Sequence, residues 1–195
     1  NNDDILIYDN SDLKSSCRCW FSLLYFGHDE KKIHVLDGGL KKWIFENKPI
    51  TKGTTEIIES NYAANKKENL VVSFDQIKKN ILSKSFNVID ARSLERFEGK
   101  VSEPRKGLRS GHIQNSFCLP FNQCINQKTG EFKNLEELRE LFNQNENIEK
   151  RLDQVFTCGS GVTAAVLAYA YKMVNNDYIP KIYDGSWSEY GKYPA

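Results

Sequence analysis

Over its second half the chain alternates short apolar runs with stretches of helical periodicity, and this constrains its fold more than any other feature. FNVIDAR (86–92), SFCLPF (116–121), QVFTC (154–158) and KIYDG (181–185) read as strands. VVSFDQIKKNILSK (71–84), NLEELRELFNQ (134–144) and VTAAVLAYAYKMV (162–174) carry helical spacing. Ser73 with Gln76 three residues later forms a capping-box signature, and Asn134 opens the next helix. Strands separated by helices predict an α/β domain with a mostly parallel sheet flanked by helices.

The front of the chain has the same grammar: strand ILIYD (5–9), helix CRCWFSLLYF (17–26), strand and turn IHVLDGG (33–39), helix LKKWIFEN (40–47). With Asp9 set opposite Cys158, the Asp-Gly turns at Asp37 and Asp184 fall at nearly the same remove. Each is followed six residues on by an aromatic, Trp43 or Tyr190. The two segments read as copies of one unit. Only the second is complete, because the front has no counterpart to residues 71–153. The expected organisation is therefore 1–53 as the later part of one domain, 54–70 as a polar linker, and 71–195 as a whole domain. A remnant of this kind has to pack against the second domain to bury its sheet, unless its remainder is missing or disordered.

Composition narrows the function. With 27 Lys+Arg, 26 Asp+Glu and a formal net charge of +1, there is no basic footprint for nucleic acid. No stretch approaches the roughly 18 apolar residues of a membrane span, and the start lacks the layout of a secretory signal. Five cysteines, an odd number in a domain too large to need staples, point to free thiols in a reducing compartment. Cys17 and Cys19 lie too close along a helix to pair well, and with His28, His34 and His112 they form no zinc pattern. No metal or cofactor is expected.

TCGSGVTAA (157–165) carries the chemistry. Cys158 falls where a strand gives way to a helix, the place in open α/β sheets where ligands bind. Gly159 and Gly161 let the loop curl so that backbone N–H groups converge on an anion, joined by the start of the next helix. Such a cradle favours a thiolate at Cys158. The bland reading is a buried cysteine beside a tight turn; the flanking glycines and Thr163 weigh against it. A cysteine phosphatase needs an arginine six residues after its nucleophile, and position 164 is alanine.

These residues, together with IYDGSWSE, IDARSLERFEG, EPRKGLRSGHIQNS and the front motifs YDNSD and VLDGGLKKW, resemble the tandem rhodanese-type sulfurtransferases, in particular those specific for 3-mercaptopyruvate. The resemblance covers nearly the whole chain and makes the front part the end of an inactive N-terminal domain, with Asp9 in the cysteine's place. It implies a Cys158 persulfide held by loop N–H groups, formed from 3-mercaptopyruvate with release of pyruvate. The sulfur would pass to a small thiol, a thioredoxin-like protein or cyanide. Gly159 and Ser160, where thiosulfate-preferring members carry basic residues, favour 3-mercaptopyruvate, with Ser160 assisting proton transfer or donor orientation. Val162 and Thr163 complete the loop, and Arg96 and Arg105 occupy the substrate-clamp positions.

Arg92 reads as structural, pairing near Asp90, and Arg109 as a surface charge. His112 packs in a turn. Asp184, Gly185 and Trp187 support the wall of the site, and Cys118 and Cys124 are ordinary core or loop thiols. A cytoplasmic or mitochondrial setting is expected. The competing readings are a thiosulfate sulfurtransferase and a catalytically silent interaction or sulfur-carrier module.

Overall fold

The structure is a computed structural model; it describes residues 3–56, 59, 61–144 and 148–194. The front unit holds two parallel strands, β1 (Ile5–Ile7) and β2 (Ile33–Val35), in the register Ile5–Ile33. Helix α1 (Ser16–Tyr25) connects them and α2 (Gly39–Phe45) follows. The rear unit is a five-stranded sheet of β3 (Val71–Val72), β4 (Phe86–Asp90), β5 (Phe117–Cys118), β6 (Asp153–Thr157) and β7 (Lys181–Tyr183). Its spatial order is β3-β7-β6-β4-β5, with every pair parallel. Helices α3 (Phe74–Ser83), α4 (Leu94–Phe97), α5 (Leu135–Asn143), α6 (Val162–Val174) and α7 (Ser186–Tyr190) complete it.

The central strands β4, β6 and β7 are covered on both faces, so their side chains alternate between two cores. Ile89, Phe156 and Ile182 join the α6 side, while Val88, Val155 and Tyr183 join Ile77 and Trp187 on the other. Helix α3 begins with the expected capping box, Ser73 accepting from the Gln76 N–H at 3.3 Å and Gln76 from the Ser73 N–H at 2.8 Å. Asn134 and Glu137 form a second such box at the start of α5. Each cap contributes about 1 kcal/mol.

Helix α6 buries Ala164 to Ala168 and Ala170, an apolar surface too broad for a helix with one wet side. It lies between its own sheet and α1, where Trp20 meets Tyr169 edge to face at 5.0 Å. Ile7, Trp20, Phe21, Leu24 and Ile33 share one core with Phe156, Leu167 and Ile182. The front unit thus packs against the rear one, as a short β-α-β-α segment requires.

Residues 57, 58 and 60 of the expected 54–70 linker lie outside the described residues. Its far end is tied down: the Asn65 N–H donates to the Phe26 carbonyl at 2.9 Å, and the Lys67 N–H to that of Tyr25 at 2.7 Å. Gly27, at φ +88°, permits this approach, since a Cβ there would stand 2.6 Å from the Asn65 carbonyl oxygen.

Candidate active site

Strand β6 delivers Cys158 to the carboxyl edge of the sheet, and α6 begins four residues later. The side chain is buried, at 2% exposure. The Ser160 N–H donates to Cys158 Sγ at 3.4 Å. The sulfur takes that one loop N–H among the described residues, rather than the converging set anticipated. Gly161, at φ +79°, makes the turn into α6; a Cβ there would stand 2.6 Å from Asp184 Oδ1. Val162 and Thr163 are half-buried in the first turn of α6.

The turn after β7 holds the cysteine backbone from below. Ser186, fully buried and at φ +51°, accepts from the Cys158 N–H through Oγ at 3.3 Å and donates to the Tyr183 carbonyl at 2.9 Å. The Trp187 N–H donates to the Cys158 carbonyl and that of Ser188 to Gly159, both at 2.9 Å. A non-glycine residue in the left-handed region is strained, and here it sits directly beneath the proposed nucleophile. Sequence reading passed over Ser186; its only signal was its place in the quoted IYDGSW.

Two arginines face the loop at its opening. A Cβ on Gly159 would lie 3.1 Å from Arg96 Nη2 and 3.5 Å from Arg105 Nη1, so glycine keeps this approach open. Arg105 Nη2 donates to Ser160 Oγ at 3.0 Å. Arg96 is aimed by Glu103, which accepts from Nε at 3.1 Å and Nη2 at 2.6 Å. Glu103 also accepts from Arg92 Nη1 at 2.9 Å. Burial pushes the Glu103 carboxyl up, but Arg96 and Arg92 outweigh it and hold it below the usual carboxylate range. The structure therefore brings Cys158, Ser160, Arg96 and Arg105 together. It adds Glu103, which the sequence showed only as part of EPRKG.

Arg92 is structural: its buried guanidinium is bidentate to Asp90 and stacks over Trp187 at 4.4 Å. Arg109 is not the free surface charge expected. It lies over Trp187 at 4.7 Å, and its Nε donates to the Tyr193 carbonyl at 2.8 Å. An indole between two guanidiniums is a tertiary arrangement that the spacing of one arginine could not reveal. Arg18, between the two cysteines of α1, was also missed; it pairs with Asp184 and reaches the Gly161 carbonyl at 3.4 Å.

His112 stacks on Phe97 at 4.0 Å and bonds that residue's carbonyl through Nδ1, a packing role. The thiols of Cys118 and Cys124 are pushed up to about 12, both chiefly by burial and the first also by Asp90. Burial and then Asp9 raise Cys17 as well. These thiols stay protonated at neutral pH and are poor nucleophiles. Among the described residues no cluster of His, Cys, Asp or Glu could hold a metal ion, and no helix is long and apolar enough to cross a membrane.

Comparison with known proteins identifies the family and the fold. Residues 73–193 match the rhodanese-like domain. The chain is 37% identical over 188 residues to 3-mercaptopyruvate sulfurtransferase of Homo sapiens, covering 95% of this chain and 62% of that protein. It is 38% identical over 215 residues to thiosulfate/3-mercaptopyruvate sulfurtransferase 2 of Arabidopsis thaliana, covering 100% and 61%. It thus spans less than two thirds of these relatives. The crystal structure of SseA from Escherichia coli, described with the rhodanese fold of 3-mercaptopyruvate sulfotransferases, superposes with a TM-score of 0.79 at 32% identity, over 94% of this chain and 66% of that one.

Proposed function

The chain belongs to the rhodanese-like domain family, and on that premise we propose that it is a sulfurtransferase using 3-mercaptopyruvate as donor and Cys158 as carrier. The supporting observation is the convergence of the Cys158 sulfur, the Ser160 N–H, and Arg96 and Arg105 on one loop. In the first half-reaction the Cys158 thiolate attacks the donor's sulfur. The S–S bond forms as the carbon–sulfur bond breaks, and the electron pair leaves on carbon as the enolate of pyruvate, which takes up a proton. In the second, an acceptor thiolate or cyanide attacks the outer sulfur and Cys158 departs as thiolate.

The keto-carboxylate of the donor requires fixed cationic partners. Arg105 and the outer edge of Arg96 supply them, with Glu103 fixing the angle of Arg96. Ser160 Oγ, already accepting from Arg105, keeps its own proton free for the donor's carbonyl or leaving carbon. The front unit, with Asp9 in the position of the sulfur, is on this reading the non-catalytic copy, and 54–70 joins the two. The acceptor is a small thiol or a thioredoxin-like protein, in a reducing compartment such as cytoplasm or mitochondrion. Thiosulfate is the second donor to consider, because the two guanidiniums flanking Gly159 suit a dianion even without a basic residue in the loop.

Pyruvate release from 3-mercaptopyruvate with a thiol acceptor tests this reading, beside thiosulfate with cyanide. The expected result is turnover that requires Cys158 and a kcat/KM higher for 3-mercaptopyruvate. Turnover undiminished in Cys158→Ser would remove the reading; a preference for thiosulfate would transfer it to the second donor.

A further inference from the structure

The two ends of the Cys158 loop face different groups. At Gly159 the neighbours are Arg96 and Arg105, on the donor side. At Gly161 they are Asp184 and Arg18: a Cβ there would stand 2.6 Å from Asp184 Oδ1 and 2.8 Å from Arg18 Nη1. Arg18 belongs to α1 in the front unit and Asp184 to the turn after β7. Arg18 Nη1 pairs with Asp184 Oδ1 and donates to the Gly161 carbonyl at 3.4 Å. One guanidinium thus joins three distant segments at the point where the loop enters α6. The turn it grips is the one whose Ser186 and Trp187 hold the Cys158 backbone.

We infer that Arg18 is a positioning residue for Cys158, a clasp by which the front unit fixes the sulfur-bearing loop. The inference rests on the sulfurtransferase reading for its kinetic test but not for its structural one. Both side chains of the pair are part-exposed, at 32% and 43%, and such pairs stabilise a fold little. Reaction geometry is far less forgiving, since a displacement of about 1 Å costs roughly 100-fold in rate. The clasp therefore affects the rate much more than the melting temperature. It sits at the far end of the loop from the arginines facing Gly159, so its loss lowers kcat and leaves the donor KM unchanged.

The test compares Arg18→Ala, Asp184→Asn and the double variant in the full chain by single-turnover persulfide formation from 3-mercaptopyruvate and by amide hydrogen exchange of residues 159–163. Each single variant is expected to lose about 10-fold in kcat at unchanged KM, with exchange of the loop amides about 10-fold faster. The double variant is expected to lose no more than either single one. Unchanged kcat and exchange in Arg18→Ala, a raised KM at unchanged kcat, or additive losses in the double variant would each overturn the inference. If Arg18→Ala does not fold, Asp184→Asn decides by the same two readouts. A wild-type chain that transfers no sulfur sinks the sulfurtransferase reading, and the exchange measurement then decides the clasp alone.

Discussion

The strand-to-helix turns at Asp9 and Cys158 share a hydrogen-bond pattern and differ in what occupies it. In the front turn Asp9 Oδ1 accepts from the Ser11 N–H at 3.2 Å, and in the rear turn Cys158 Sγ accepts from the Ser160 N–H at 3.4 Å. The Asp9 carbonyl takes the Leu40 N–H and the Cys158 carbonyl that of Trp187, both at 2.9 Å and each three residues past an Asp-Gly turn. The second oxygen of Asp9 also accepts from the Ser16 N–H at 2.5 Å, closing the front turn onto its own helix. A carboxylate thus saturates its nest, whereas the sulfur keeps valence for a second atom. The residues lining the front cleft include Lys14 and no arginine, while two arginines approach the rear loop. On the proposed reading, reactivity depends on what flanks the turn as much as on the turn itself.

Making the rear turn resemble the front one is the largest perturbation. Cys158→Asp is expected to lose about 1,000-fold or more in sulfur transfer. Its melting temperature should fall by no more than about 4 °C, because the Ser160 N–H and the nearby arginines receive a carboxylate. Thermal unfolding beside turnover checks both parts. Next is the joint between the units: Trp20→Ala removes a 2%-exposed indole from the shared core. The expected cost is about 3–5 kcal/mol by denaturant titration, whereas independent units would unfold in two steps with only one shifted.

Glu103→Gln tests the rear flank. It is expected to cost about 2 kcal/mol at neutral pH by weakening charge-assisted bonds to Arg92 and Arg96. Because the folded carboxyl titrates below its unfolded value, that stabilisation is present above the ordinary carboxylate range and is lost as pH falls through the lower folded value. Wild-type and variant stabilities should therefore converge in acid, and a constant difference down to low pH would contradict the pairing. The smallest effect is that of Asp9→Cys, expected to lose about 1–2 kcal/mol with the charged bonds to Ser11 and Ser16. It should gain no persulfide at position 9 by peptide mapping. Sulfur found there would show that the turn alone suffices.

How legible these features were depends on how local their causes are. The capping box of α3, the opening of α5 at Asn134 and the span of α6 follow from neighbouring residues, and the sequence displays them. Cys158 was legible because its loop carries two glycines: a positive φ and a close approach demand one at Gly161, and Gly159 leaves room for Arg96. The two-residue strand β3 is too short for any periodicity, and only the sheet defines it, whereas β5 falls within the run SFCLPF that already reads as a strand. Ser186, Arg18 and the stacked Arg109 act through partners remote in sequence, and Glu103 through arginines seven and eleven residues back across a loop, so their residue types alone carried no signal.

Sulfur transfer through Cys158 is tested most directly by the intact mass of the chain after brief exposure to 3-mercaptopyruvate, with Cys158→Asp in parallel. The wild type is expected to gain one sulfur atom, mapped to Cys158 and removed by a thiol acceptor, and the variant none. A folded wild-type chain that gains no sulfur, or gains it equally in the variant, would contradict the claim that the Cys158 turn is the sulfur-carrying site.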